Sequence, residues 1–502
     1  MLKRRFFVQF GSSLVINVIG MLAGIVVARV GGPEVVGVIA YGTAYVSIWG
    51  FMTGLFGSGH IKLISEGQNL GNCVKTYAWL QGGSLVVYFL VVAGWFLTQK
   101  YILHYPFEST EQQIIIILAL FVYVIGVIIQ FNSLTFTATM HQVKSNFPDL
   151  MRQLLYHTGR IIVVLIGFKA IGLSSWSLFT GIIVLPFVFR QLRQLPVGMF
   201  DKELLKKHIS FAIPIFLIVV ITTLLGYSDK LMLSYFSNTT ELGYYSAAYS
   251  IGGMFLLLSS VIGTIFFPLF SSLIAKNDWE TVNKKIITFQ EIAILFIFPF
   301  ACLMAIIGGP FLVTLLGTRY ERSVIPFVIL LFSTFFSIVG MPYGNVISGM
   351  GRFYLGVWVN IIALVIFFIS ITFFLSPRFL HLGATGLAFN TLVMAIVNNL
   401  LYFFFARKYG KITFSSTNGL RYVFILFISV IIFFLVRYIS TWGSFWWIIM
   451  IPCYLILMYG LLIVTGLLKH HHWMLLMAVL NVKKTTSYIK EELKIKKVDH
   501  LQ

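Results

Sequence analysis

Two groups of polar side chains stand where their neighbours are hydrocarbon. Asp229 and Lys230 lie toward the end of the apolar run 209–236, and Gln153, Tyr156, His157 and Arg160 interrupt another. The second group recurs at i, i+3, i+4 and i+7, which puts all four on one face of a helix. Arg160 falls near the centre of its span, too deep for easy snorkelling. Charges inside an apolar span are costly, so they face a protein interior or a water-filled cavity. A guanidinium and an ammonium held there can bind an anion by charge-assisted hydrogen bonds, and the guanidinium can grip a phosphate through two at once. The plainer role for Arg160 is a tie to helix-end carbonyls. Arg29, at the outer end of the first apolar helix, either snorkels to the interface or faces a cavity.

The elements that carry these residues follow from composition. Of 502 residues, 59% are hydrophobic and 10% charged, with a mean hydropathy of +0.93. A soluble domain with this balance would lack polar surface, so the chain is an all-α polytopic membrane protein. We expect about 14 spans of about 20 residues, each able to cross about 30 Å of hydrocarbon. Residues 1–30 mimic a signal peptide, with Lys3, Arg4 and Arg5 ahead of an apolar run, but no small-residue cleavage site follows, and a retained first helix is expected.

Alternating the connections puts Lys3, Arg4, Arg5, Arg190, Arg193, Lys202, Lys206, Lys207, Lys284, Lys285, Arg407, Lys408 and the basic tail on one side. The other side receives little beyond Arg29, Lys100, Lys169, Arg319, Arg322 and Arg378. The positive-inside rule makes the first side, with both termini, cytoplasmic. Most of the net charge of +20 is therefore topological and no nucleic-acid footprint. The polar end of the fourth span (Asn132, Ser133, Thr135, Thr137) is read as lining a wet path rather than bonding to its neighbours.

The two halves repeat one pattern. An apolar helix ends at Gly31-Gly32-Pro33-Glu34 and Gly37 opens a small-residue helix; a second ends at the polar turn 237–241 and Gly243 opens another. The segments from Gly37 to Tyr45 and from Gly243 to Ile251 align at an offset of 206 residues (243 − 37). Repeated hydropathy in two halves is typical of secondary transporters. Gly20, Gly24 and Ala28 give the first helix a face suited to close contact.

ARVGGPEVVGVIAY, SDKLML, ELGYYSAAY and FFPLFSSL resemble the polysaccharide, or Wzx-type, flippases of the multidrug/oligosaccharidyl-lipid/polysaccharide exporter superfamily. Arg29, Gly32, Pro33 and Gly37 fill that family's first-half pattern; Pro214, Asp229, Lys230, Gly243, Tyr245, Ala248, Tyr249 and Pro268 fill the second. The resemblance implies two pseudo-symmetric bundles around a central cavity, working by alternating access in the bacterial cytoplasmic membrane. The implied cargo is an undecaprenyl-pyrophosphate-linked oligosaccharide for O-antigen, capsule or exopolysaccharide. A polysaccharide polymerase and a chain-length regulator are the implied partners. The expected divisions are an N-terminal bundle (1–194), a cytoplasmic linker (195–208), a C-terminal bundle (209–407), two further spans (408–468) and a basic tail (469–502).

Other classes fit less well. No G-x-x-x-x-G-K-[ST] phosphate loop is present, so direct ATP drive is not expected; the drive is read as an ion gradient, of H+ or Na+, or the gradient of the substrate itself. A multidrug exporter for cationic drugs would favour acidic cavity residues, and a membrane polysaccharide polymerase would need a sizeable outer loop. A lipid II flippase remains an alternative. Cys73, Cys302 and Cys453 have no metal spacing, and His470-His471-His472 beside Lys469 and Trp473 reads as interfacial. No cofactor, metal or enzymatic activity is expected. The tail is read as a basic helix on the inner leaflet. Removing residues 483–502 is expected to leave transport intact at matched membrane levels; complete loss would assign the tail a specific role.

Overall fold

The computed structural model describes residues 2–103, 107–252, 266–267, 269–413, 424, 427–432, 434, 446–466 and 468. Pro268, the triple histidine and the basic tail lie outside them. The described residues contain helices and no strands. In chain order the first half comprises α1 (Leu2–Ser47), α2 (Phe51–Gly54), α3 (Gly57–Ser65), α4 (Leu70–Leu97), α5 (Thr110–Ala138), α6 (Gln142–Leu165) and α7 (Ala170–Leu192). Then come α8 (Lys202–Phe236), α9 (Thr239–Gly252), α10 (Trp279–Ile292), α11 (Phe298–Leu316), α12 (Val324–Gly349), α13 (Phe353–Leu375), α14 (Gly383–Tyr409) and α15 (Trp446–Val464).

Nine of the helical stretches among the described residues are long and apolar enough to cross a membrane. The expected count of about 14 is not reached there. Three physical reasons account for most of the gap. The α1 run contains two spans joined at Gly32, the polar face of α6 dilutes its hydrocarbon, and α9 and α15 meet segments that are not described.

Caps and breakers punctuate the chain where the sequence requires them. Gly32 has φ +82°, a region open to glycine at little cost, and Pro33 starts the following helix where no N–H partner is needed. The Ser109 side chain caps α5 by accepting from Gln112 N at 3.1 Å, and Asp201 caps α8 by accepting from Glu203 N at 2.8 Å.

The polar end of α5 is tied to its neighbours rather than lining a wet path. Asn132 donates to Gln191 at 2.8 Å, and Ser133 and Thr137 share hydrogen bonds with Ser145 at 3.0 and 2.7 Å. Thr135 bonds His60 Nε2 at 3.0 Å, and the His60 ring stacks on Tyr77 with centroids 4.1 Å apart. His208, from the first turns of α8, closes this buried stack against Tyr77 at 6.0 Å. Asn399 donates to the Phe336 carbonyl and Ser370 to Asn390, so these amides join helices.

At the opposite end of α5 and α8 from this polar cluster the two repeated turns cross. A β-carbon at Gly37 would stand 1.7 Å from the Thr239 carbonyl oxygen, and one at Gly243 would stand 1.9 Å from that of Pro33. Pro33 and Thr239 differ by the same 206 residues as the glycines (239 − 33), so the contact is reciprocal. Both turns therefore open on one side of the molecule. Gly243→Ala drives a methyl group into rigid backbone and is expected to lower the stability of the purified protein by about 1–3 kcal/mol or more. Gly94→Ala, whose β-carbon would meet nothing within 4 Å, is the neutral control in the same thermal-denaturation measurement.

Candidate functional site

The four polar residues of α6 come together on the wall of one cavity. Its position follows from how α6 is clamped. On the back of α6, Gly159 leaves room for the indole of Trp176, which a β-carbon would meet at 2.1 Å. Trp176 Nε1 also donates to the Leu155 carbonyl at 3.2 Å. This turns the opposite face toward α1, where Gly20 and Gly24 receive His157 and Arg160; a β-carbon at Gly20 would stand 3.0 Å from the imidazole.

The cavity encloses about 530 Å³ between α1, α6, α7, α9 and the end of α11. Gln153, Tyr156, His157 and Arg160 line it, together with Asn17, Tyr249 and Ser250. Arg160 donates one N–H to the Gly20 carbonyl, a mid-helix group, and its guanidinium lies 5.1 Å from the Tyr156 ring centroid. Arginine has five N–H donors. The buried Nε makes no hydrogen bond among the described residues, and neither does His157 Nδ1. Gln153 is held by Asp149, to whose carboxylate it donates at 2.6 Å; Arg152 pairs with the same carboxylate at 2.9 Å.

The remaining cations are placed elsewhere. Asp229 and Lys230 do not line this cavity. Lys230 Nζ donates to the Gly226 carbonyl at 3.1 Å and stands 3.8 Å from Asp229. Arg29 lies just beyond the cavity's Ala28 and Leu316 and donates to the carbonyls of Thr314 at 2.7 Å and Leu315 at 3.4 Å. It thereby ties the first half of the chain to the second.

A second tie of that kind has no counterpart in the sequence reading. Glu108, in the connection between α4 and α5, accepts from Thr239 N at 2.9 Å and from the Thr239 hydroxyl at 2.5 Å. It supplies negative charge to the N-terminus of α9, where the helix dipole and unpaired N–H groups favour an anion. Glu241 does the same for α14, accepting from Ala384 N at 2.8 Å and facing Arg322 at 3.6 Å. Asn17 and Ser250 were open to detection as polar breaks in apolar helices. Glu108 was not, because a loop carboxylate carries no pattern that names its partner.

A cavity bounded by two repeated sets of apolar helices is the architecture of a multi-pass membrane protein. Similar architectures are found in the lipid II flippase MurJ in its inward closed conformation, which is 17% identical with a TM-score of 0.62 over 89% of this chain and 96% of that one. An inward-facing multidrug resistance MATE transporter of the MOP superfamily matches at 13% identity and a TM-score of 0.58, over 78% of this chain and 95% of its own. A Vibrio cholerae MATE transporter matches at 11% identity and a TM-score of 0.50, over 81% and 97% respectively. At these identities the likeness establishes the fold. The sequence itself matches a family model over residues 26–325, and the chain belongs to the family described as polysaccharide biosynthesis protein. No curated protein matches it.

Glu108→Gln keeps the shape of the tie and removes its charge. We expect loss of about 1 kcal/mol of closure, or roughly fivefold more open population at this end. The check is the rate at which a membrane-impermeant maleimide labels a cysteine at position 237 in a background without the native cysteines. Equal rates with and without the substitution would show that Glu108 does not restrain opening.

Proposed function

We propose that the protein is a flippase that moves a lipid-linked, pyrophosphate-bearing oligosaccharide across the cytoplasmic membrane by alternating access, for surface polysaccharide synthesis. The observation that carries this reading is Arg160, a cation inside the membrane region with donors still unused, on the wall of a cavity between the two halves. A pyrophosphate stripped of water needs such donors, and arginine meets phosphate through two bonds at once. Membership in a polysaccharide biosynthesis family supports the sugar-bearing cargo. In this reading His157, Tyr156 and Gln153 accompany Arg160 in holding the head of the cargo. Arg29 and Lys230, with Asp229 restraining the lysine, join the basic route when the halves part at the end of the Gly37–Gly243 crossing. Both termini are cytoplasmic, so loading occurs at the basic end.

The cavity matches a small-ligand site in size, at about 530 Å³. The head group fits there while the glycan and lipid require the halves to open. Lipid II carries the same pyrophosphate chemistry and is the alternative cargo; a requirement for viability rather than for surface polysaccharide would favour it.

The test is complementation of a deletion strain, read as surface polysaccharide at matched membrane levels. Arg160→Ala is expected to lose a contact worth roughly 1.5–3 kcal/mol, tenfold or more in affinity. Arg160→Lys restores only part, because lysine lacks the planar fork. Wild-type polysaccharide from the alanine variant would overturn the basic route.

A further inference from the structure

A second cavity of about 540 Å³ lies between the latter half of α1, the outer end of α4 and α8, at the end where the turns cross. It shares no lining residue with the first cavity. Tyr41, Tyr45, Trp49 and Trp95 give it aromatic walls, and Gln99 and Gln112 place amides among them. The Trp49 and Trp95 rings stand 6.2 Å apart and are inclined at 56°, so they form two walls rather than a closed stack.

The polar atoms are unevenly satisfied. Gln99 Oε1 accepts from the Tyr45 hydroxyl at 3.0 Å, and Gln112 Oε1 accepts from Glu108 N at 2.7 Å. Each amide is thereby oriented with its nitrogen as an unused donor among the described residues. Trp49 Nε1 is buried and also lacks an acceptor. A buried N–H ordinarily has a partner and Trp49 Nε1 has none among the described residues; with the two amide nitrogens beside it, the lining suits a ligand rich in acceptors.

The ligand's charge and shape follow. Glu108 lines the same cavity and no cation does, which disfavours a phosphate. A hydrocarbon chain would leave all three donors unmet. A separate groove of Phe51, Met52, Leu55, Trp79, Leu80 and Val87 offers the apolar walls that a lipid tail prefers. A pyranose ring presents hydroxyl and ring oxygens as acceptors and C–H faces to aromatic rings. We propose that this cavity is a glycan subsite that takes one or two neutral sugar rings, separate from the site of the pyrophosphate. The source of those rings rests on the flippase reading; the recognition itself does not require transport.

The probe is the oligosaccharide freed by mild acid and phosphatase from the lipid-linked pool of the producing cells, titrated by calorimetry into the full-length protein in nanodiscs. Saturable binding is expected, weakened about tenfold by Gln99→Leu and by Trp49→Phe, which keeps a ring and removes the donor. Arg160→Ala should bind this probe as the unaltered protein does. Thermal denaturation of each variant identifies any that fail to fold, and the remaining one decides. Absence of saturable binding, unchanged affinity in the folded variants, or displacement of the probe by a long-chain polyprenol would overturn the proposal. If the probe binds as described while Arg160→Ala still complements, the basic route fails and the glycan subsite stands. Complementation lost in Arg160→Ala with no glycan binding sinks the subsite alone.

Discussion

The structure depends on a place where two backbones touch without side chains between them. Pro33 and Thr239 each present a carbonyl oxygen to the glycine of the other turn, and neither Gly37 nor Gly243 has room for a β-carbon. Backbone is the least deformable partner a residue can meet, so this crossing sets how far apart α1 and α9 can stand. The cavity lies between those helices. The ties made by Arg29 and Glu108 lie around the same crossing, and both run from the first half of the chain to the second. The reciprocity of the two backbone contacts follows from the repeat, since equivalent turns related by two-fold symmetry must contact each other in both directions.

A second constraint is the cost of a charge in the membrane interior. Arg160 is tolerated because glycines on α1 let the guanidinium approach a carbonyl, and because the cavity beside it is lined with amide, hydroxyl and imidazole groups. The same glycines accommodate His157. A larger residue on that face of α1 would push both side chains back into α6, so glycine spacing on one helix and polar spacing on another form a single device. The aromatic cavity is built differently, with amides and an acid in place of cations. The two cavities thus differ in chemistry, one lined by a cation and the other by amides and an acid.

Much of this was legible in the order of residues. Hydropathy alone requires a helical membrane protein, because backbone groups in hydrocarbon must be paired within the segment that carries them. The polar face of α6 follows from helical periodicity, which puts residues 153, 156, 157 and 160 in one row whatever packs against them. The repeat of glycine turns likewise announced that two halves share a plan. These are local or periodic properties, and local geometry enforces them.

Which charges share a cavity is another matter, and the tertiary structure decided it. Arg160, Lys230 and Arg29 are all cations in apolar surroundings. One lines the cavity, one is held by its own helix and neighbouring aspartate, and one ties the chain's two halves. A helix can rotate or kink by a fraction of a turn without any change in its pattern of residues, and that rotation determines what each side chain faces. Glu108 shows the same limit from a loop: its partner lies 131 positions away and is met only once the halves have packed. Periodicity specifies the row on which a residue stands; close packing between helices distant in the chain specifies what stands opposite.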